Sequence, residues 1–441
     1  MPDKKEQILK LVSEYINEKN ASQKWTPGHD FVQYAGHYFS DNEYCRAIGT
    51  FLNGWLGLAG ESKELEGRFP RLMGKEFGVV TSSGSSANLL MMAALASSNL
   101  NAFPKGSKVL VPVAGFPTTL NPLLQMGFEP VFVDIELDTL NIDLNNLEET
   151  IQREKPKAIT FAHSLGNPPN MARIMDLVKK YNLILLEDCC DALGSTYDGN
   201  LLGSYGEFAS CSFYPAHHIT GGEGGFVSCR TAQQEKVLRG LRDWGRDCYC
   251  SGKTSSFSKN GCCGRRFSNW LPLLPNEICD HKYIYTEIGY NLKPIELQCS
   301  MLLEQIKKLP IISQTRKKNY NLLSSVFSKY ENYFILPRAT EKSDPSWFAF
   351  PLTIKNAKTF NRFNICNFLE DKKIQTRNYF GGNLLLQPAY QSLGYSKDYA
   401  LSFKNATKVT TDTFFLGVSP VITEEQIQYV GECVDEFMSK F

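Results

Sequence analysis

The sequence has no surplus of charge of either sign. Its 47 lysines and arginines stand against 46 aspartates and glutamates, a formal net charge of +1. That balance excludes the strongly basic surface by which proteins hold nucleic acid or an anionic membrane. No apolar run is long enough to span a bilayer. The first ten residues, MPDKKEQILK, contain no apolar segment of a secretion signal. A cytoplasmic location is expected. Internal repeats and low-complexity tracts are also lacking, which excludes a repeat architecture.

What is present is a chain of 441 residues with 42% hydrophobic content, enough for one large globular unit or two domains with their own cores. Thirteen cysteines make an odd number. In a large cytosolic chain most free cysteines act as small buried hydrophobes. That reading suits Cys45, Cys211, Cys229, Cys299, Cys366 and Cys433, but Cys248, Cys250, Cys262 and Cys263 crowd together in sequence.

Ile8, Leu11, Val12, Tyr15 and Ile16 recur at helical spacing and predict a docking helix over 3–18. Helical patterns continue over 44–77. An α/β alternation then begins. β-rich apolar runs at 109–113, 131–134, 158–161, 183–186, 209–214 and 225–229 have helical stretches such as 86–96 and 171–181 between some of them. Runs apolar throughout predict strands buried on both faces, hence an α/β fold with a mainly parallel central sheet. After Pro310 the texture changes to a helix over 314–330 and mixed pieces. The expected division is a large α/β domain over 1–310, with a cysteine-bearing insertion near 248–280, and a smaller C-terminal α/β domain over 311–441.

Four stretches carry candidate chemistry. Thr81-Ser82-Ser83-Gly84-Ser85-Ser86-Ala87 precedes an apolar helix. Small hydroxyl residues and glycine there can present backbone N–H groups to a phosphate, although an ordinary N-cap has the same composition. Phe116 follows the strand at 109–113, where an aromatic is commonly core. Leu183–Asp188 is an apolar strand with acids at its carboxyl end, the edge at which open α/β sheets gather ligands. Helix capping is the plain alternative for such an aspartate. Finally, Ser212-Phe213-Tyr214-Pro215-Ala216-His217-His218-Ile219-Thr220-Gly221-Gly222-Glu223-Gly224-Gly225 places two adjacent imidazoles before a flexible turn.

This last string resembles the cofactor-lysine segment of the DegT/DnrJ/EryC1/StrS sugar aminotransferases, pyridoxal-phosphate (PLP) proteins of the aspartate-aminotransferase-like fold type I. Their pattern is S-F-x-x-x-K-x-x-x-x-G-E-G-G. Every landmark matches except the lysine, whose place is taken by His217. The resemblance covers roughly residues 40–440 and includes five motifs in order. It implies that Gly84 and Ser85 bind the cofactor phosphate, that Phe116 stacks on the pyridine ring and that Asp188 pairs with the ring nitrogen. Asp191 falls where other members often have a ring-contacting Gln, and Ser212 belongs to the same pocket. Gly289-Tyr290-Asn291-Leu292-Lys293, followed by Glu296, Leu297, Gln298 and Gln305, is similar to a segment whose Asn reaches the cofactor phosphate of the neighbouring subunit. Asn291 therefore implies a homodimer, with Lys293 in place of the usual Arg. Arg377 and Gln387 fall on substrate-side positions.

The missing lysine changes the expected chemistry. A lysine holds PLP as a Schiff base and returns as the base for the proton shift. An imidazole makes no such stable link but can still move a proton, and its ordinary pKa suits that work at neutral pH. The cofactor is then expected to be non-covalent pyridoxamine phosphate (PMP). Within the family, a histidine at this position marks the sugar 3-dehydratases. The resemblance implies C3 deoxygenation of a CDP-linked 4-keto-6-deoxy sugar, with His217 as the catalytic base.

Net deoxygenation also needs two electrons. Fifty-seven residues separate Cys190 from Cys248, and one separates Cys248 from Cys250. This is similar to the start of the dehydratase pattern C-x57-C-x-C-x7-C, which implies a [2Fe–2S] cluster and a separate flavin/iron–sulfur NAD(P)H reductase as partner. The last spacing departs, with 12 residues between Cys250 and Cys263. The string Cys263-Gly264-Arg265-Arg266-Phe267 still resembles C-G-K-R-F, so Cys263 is the expected fourth ligand. Cys262 and Cys189 are the substitutes for Cys263 and Cys190. Two other readings remain open: a cluster-free dehydratase or aminotransferase drawing its amine from glutamate, and a non-catalytic or zinc-stabilised protein that retains the pocket.

Overall fold

The computed structural model describes residues 3–248, 250, 260–261 and 263–441. Seven strands build the central sheet: β1 (Phe77–Thr81), β2 (Lys108–Pro112), β3 (Glu129–Val133), β4 (Ala158–Ala162), β5 (Ile184–Asp188), β6 (Phe208–Ser212) and β7 (Gly225–Cys229). Their spatial order is β1-β7-β6-β5-β4-β2-β3. The pairs β2/β3, β2/β4, β4/β5 and β5/β6 are parallel, and β7 runs antiparallel to both β1 and β6. The sheet is thus mainly parallel, as the unbroken apolar runs implied. β1 is the strand that the sequence pattern did not reveal, because FGVVT abuts a stretch of helical texture.

Side chains alternate between two cores, one on each face of the sheet. Val79, Leu186, Phe208 and Val227 enter one. Val80, Leu185, Ala209 and Phe226 enter the other. The helices α1 (Lys4–Ser22), α2 (Asp41–Leu52), α3 (Gly60–Arg68), α4 (Gly84–Ala96), α5 (Pro117–Gln125), α6 (Leu147–Glu154), α7 (Met171–Tyr181) and α8 (Ala232–Arg242) precede or alternate with the strands. Among them α4 is buried along most of its length, from Ala87 and Asn88 to Leu95.

The break expected at Pro310 is not a helix boundary. A single helix, α9 (Glu296–Ser328), runs through it. Its first half contributes Leu302, Leu303, Leu309 and Ile312 to a sheet core. Its second half contributes Leu323 and Phe327 to a third core, with Phe334, Phe350, Leu352, Phe414 and Leu416. Packing on both sides outweighs the hydrogen bond that proline removes. The third core belongs to a four-stranded sheet of β8 (Phe334–Ile335), β9 (Ala349–Ile354), β10 (Arg377–Asn378) and β11 (Thr413–Gly417), in the order β8-β9-β11-β10. The N-terminal segment also joins this C-terminal unit: Val32 is in its core, and Trp25 packs edge-on against Tyr429.

Glu296 and Gln305, which resemble motif residues, brace this arrangement. The buried Glu296 carboxylate accepts from the backbone N–H groups of Ala59, Glu61 and Ser62 at 2.7, 2.7 and 3.0 Å, closing the start of α3. Gln305 Nε2 donates to the Tyr38 carbonyl and to buried Glu43. Glu296→Ala leaves those helix-start donors without their acceptor and is expected to cost on the order of 1–3 kcal/mol. Urea unfolding of wild type and variant measures this; equal midpoints would contradict the bracing role.

Candidate active site

The carboxyl ends of the parallel strands open into a cavity of about 1110 Å³. Gly84, Ser85, Phe116, Asp188, Asp191, Ser212 and His217 all line it, together with Cys190, Arg377 and Gln387. Residues more than a hundred positions apart thus meet at one sheet edge.

The phosphate-loop candidate is built by close backbone approach. Ser83 caps α4, its Oγ accepting from Ser86 N at 3.0 Å. Thr81 Oγ1 donates to the Ser83 carbonyl at 2.9 Å. A Cβ at Gly84 would lie 2.5 Å from Ser212 Cβ, and one at Gly225 would overlap the Ser83 carbonyl. The glycines therefore let the turn after Glu223 press on the start of α4. The first N–H groups of that helix are left for an anion, which the helix dipole favours.

Asp188 sits at the end of β5 and is held from four sides. Its Oδ2 accepts from Asn88 Nδ2 at 2.8 Å and Thr119 Oγ1 at 2.7 Å. Its Oδ1 accepts from Cys190 N at 3.2 Å and lies 3.3 Å from Ser210 Oγ. Ser210 in turn donates to Asn88 Oδ1 at 2.6 Å. These donors orient a carboxylate that suits a cationic ring nitrogen. Sequence reading missed Asn88, Thr119 and Ser210. A signal existed for two of them: a lone amide in the apolar helix SSANLLMMAALA, and a serine inside a strand buried at every position.

The two adjacent histidines diverge. His217 faces the cavity, its ring 5.2 Å from that of Phe348. Its buried Nδ1 lies 3.4 Å from Asp191 Oδ1, a charge contact without hydrogen-bond alignment. This leaves Nε2 for a group in the cavity. His218 is buried, with Nε2 2.7 Å from the Ser346 carbonyl, and burial drives its pKa well below the ordinary value. It is a neutral structural histidine. The fully buried Arg316 fixes the same turn from beneath. It donates to the carbonyls of Ala216 and His217 at 3.3 and 3.0 Å, and to those of Trp347 and Phe348 at 3.3 and 3.1 Å. Burial lowers its pKa to about 10, with Asp191 opposing the shift.

Phe116 is half exposed at the cavity rim and meets Phe380 edge-on at 5.7 Å. Its accessible ring suits stacking on an aromatic ligand. Asn291 does not line the cavity. It is exposed and accepts from Lys293 Nζ at 2.6 Å. The donor set, the α4 start and the roomy cavity together fit PMP.

The proposed metal ligands divide. Cys250 and Cys263 flank Gly261, whose Cβ would lie 3.6 and 3.9 Å from their sulfurs. Cys248 is close enough to both for their charges to help raise its pKa, behind the larger effect of burial. Cys190 lies elsewhere, in the cavity, 3.9 Å from Ser210 Oγ and beside Gly84. Cys248, Cys250 and Cys263 thus lie near one another, and Cys190 is not with them. Cys262 lies outside the described residues. Cys189 is buried beside His163 and Glu187, facing away from the cavity.

The sequence profile of the DegT/DnrJ/EryC1/StrS aminotransferase family matches residues 40–435. The chain is 40% identical to the lipopolysaccharide biosynthesis protein RfbH of Salmonella typhimurium, over 98% of each chain. It is 38% identical to dTDP-4-dehydro-2,6-dideoxy-D-glucose 3-dehydratase of Saccharopolyspora spinosa, over 100% of this chain and 93% of the relative. Among solved structures, GDP-4-keto-6-deoxy-D-mannose-3-dehydratase of E. coli with bound hydrated PLP superposes with a TM-score of 0.77. That match has 27% identity and covers 92% of this chain and 100% of the other.

Burial pushes the Asp191 carboxyl above its ordinary pKa, with His217 opposing the shift. The folded state then binds the proton more tightly than the unfolded one. The contribution of Asp191 to stability must fall as pH rises from the unfolded value, about 4, through the raised folded value. The unfolding free energy of wild type minus that of Asp191→Asn is expected to decline across this window. A difference that rises with pH would contradict the assignment.

Proposed function

The chain belongs to the DegT/DnrJ/EryC1/StrS aminotransferase family, and from that footing we propose that it is a PMP-dependent dehydratase acting at C3 of a nucleoside-diphosphate 4-keto-6-deoxy hexose. The observation that carries this reading is His217: it occupies the lysine position of the family pattern and turns its ring into the cavity, while Asp188 and the α4 start remain intact. Relatives named as 3-dehydratases of dTDP- and GDP-sugars support the reaction class. We infer CDP as the nucleotide on the resemblance of SFYPAHHIT alone.

Bound in the cavity, PMP supplies an amine that condenses with the sugar ketone and a ring that withdraws electrons. The residues do the rest. The N–H groups at Gly84 and Ser85 hold the phosphate, Phe116 covers one ring face and Asp188 keeps the ring nitrogen protonated. Asn291, exposed on one copy, reaches the phosphate of a second, so the working unit is a homodimer. His217 Nε2 removes the proton at C4′ of the cofactor as the C3 hydroxyl departs as water. Asp191, beside Nδ1, stabilises the imidazolium that forms. Arg316 and His218 keep the turn in place by binding carbonyls.

Net reduction needs two electrons and two protons, one taken up at C3 and one returned to C4′. On the sequence resemblance, we infer that Cys190, Cys248, Cys250 and Cys263 would hold a [2Fe–2S] electron carrier, which a flavin/iron–sulfur NAD(P)H reductase would supply. The separation of Cys190 from the other three favours a second reading, a cluster-free dehydratase that renews its amine from glutamate. Anaerobically purified protein is expected to contain iron and acid-labile sulfide in equal amounts, and to bleach on reduction. Colourless protein active with glutamate alone would overturn the cluster and leave the dehydration.

His217→Asn is expected to keep PMP affinity, since the phosphate site and Asp188 are untouched. It should lose substrate-dependent solvent exchange at C4′ by roughly 10²–10⁴-fold, the range for a positioned general base. Isotope exchange followed by NMR measures this. Loss of exchange in His218→Asn with retention in His217→Asn would place the base one residue away.

A further inference from the structure

A nucleotide sugar carries a diphosphate, and the cavity is poorly supplied with charge to receive one. Among the described residues Asp188, Asp191 and Glu223 line it, and Arg377 is its one lysine or arginine. Arg377 stands on the edge strand β10 and is exposed. Its Nη1 donates to the Thr376 carbonyl at 2.7 Å. A carbonyl leaves the guanidinium charge uncompensated and most of its N–H fork available to an anion.

What orients this long side chain is Tyr34. The guanidinium lies over the Tyr34 ring, 4.2 Å from its centre. Stacking holds an arginine by its face and leaves its in-plane donors unused. It also removes rotamers that an exposed arginine would otherwise sample.

Tyr34 is itself fixed through its backbone. Val32 N donates to the Lys373 carbonyl at 2.8 Å, and the Val32 carbonyl accepts from Gln375 N at 3.0 Å. Tyr34 N donates to Gln375 Oε1 at 3.2 Å. The Val32 side chain is buried in the core of the C-terminal unit. A Cβ at Gly417 would lie 2.2 Å from the Tyr34 carbonyl oxygen, so glycine there lets the segment cross the end of β11. The Tyr34 ring then leans on Phe415, 6.4 Å between centres, and lines the cavity. The N-terminal segment is thus strapped to the stretch 373–375 that leads into Arg377. It lies ahead of residues 40–435, the part that the family profile matches.

We propose that Tyr34 is a positioning residue for substrate: it presents the Arg377 guanidinium to the diphosphate of the nucleotide sugar. This role presupposes the nucleotide-sugar substrate proposed above. Tyr34 acts through the arginine, because a neutral ring offers a phosphate no charge. Binding should therefore suffer when the ring is lost. Proton transfer should not, because His217 is held separately by Arg316 on the carbonyls of its turn.

Calorimetric titration of the full-length protein with CDP tests this. Tyr34→Leu keeps an apolar side chain against Phe415 but has no ring face. It is expected to weaken CDP binding by roughly two- to thirty-fold, up to the worth of the cation–π contact. Tyr34→Phe keeps the ring and is expected to bind as the wild type does. Arg377→Gln is expected to lose roughly ten- to a hundred-fold, as for hydrogen bonds to a charged group. Adding Tyr34→Leu to Arg377→Gln should cost nothing further. In turnover of the CDP-sugar, the Tyr34→Leu defect should fall on KM, with kcat kept. Wild-type affinity in Tyr34→Leu overturns the proposal. An equal further loss in the Arg377→Gln background also overturns it, since Tyr34 would then act without the arginine. Wild-type preference for GDP or dTDP over CDP, with the same pattern among the variants, supports the positioning role and removes only the cytidine. Wild-type protein that binds no nucleoside diphosphate removes the nucleotide-sugar reading, and the role of Tyr34 with it.

Discussion

Asp188 is a carboxylate placed at the end of a buried strand, and the geometry of the site follows from how its charge is accommodated. An ion in such a place is tolerable only with hydrogen-bond donors around it. Here they come from α4 through Asn88, from α5 through Thr119, from the backbone after β5 at Cys190, and from β6 through Ser210. Satisfying one charge therefore fixes two helices against two strands. The same helix α4 presents its first N–H groups to the cavity, and α5 is preceded by Phe116. Charge recognition, phosphate recognition and ring stacking are consequently parts of one rigid assembly, with little to rearrange when a ligand enters.

The histidine turn is stiffened by a different device. His218 binds the Ser346 carbonyl, and buried Arg316 gathers four carbonyls, two of them from the turn itself. A guanidinium can do this because its donors spread in a fixed plane. The consequence is that two neighbouring imidazoles have separate duties. One is locked as a neutral donor. The other is held at the cavity wall with Asp191 beside its inner nitrogen. Arg316 lies on the second half of α9, the helix shared by both cores. The C-terminal unit is thereby coupled mechanically to the position of His217.

Some of this was legible from residues alone, and the differences have physical causes. Strands 109–113 and 225–229 were visible because they are buried almost throughout, and helix 171–181 because Met171, Ile174 and Leu177 recur at helical spacing among exposed polar residues. β1 was hidden because its five residues closely follow helical texture, with Gly74 as the stop signal between them. The helix read from 314 starts at Glu296 and runs through Pro310, because packing on two cores overrides local propensity. Glu296 and Gln305 belong to the family-like segment around Asn291, and in the structure they are braces. Asn88, Thr119 and Ser210 looked ordinary and hold the central carboxylate.

The sequence by itself determined the chemistry on offer: a glycine-framed phosphate loop, an aspartate at a strand end, a histidine in a lysine's place and a spaced set of thiols. These are properties of residue type and local order, which a linear string records. Only the tertiary structure decided which of them meet. It brought Gly84, Phe116, Asp188, Ser212 and His217 to one cavity, turned His218 away, and set Cys190 apart from Cys248, Cys250 and Cys263. Proximity between distant residues is fixed by strand order and helix direction, and sequence spacing does not encode those.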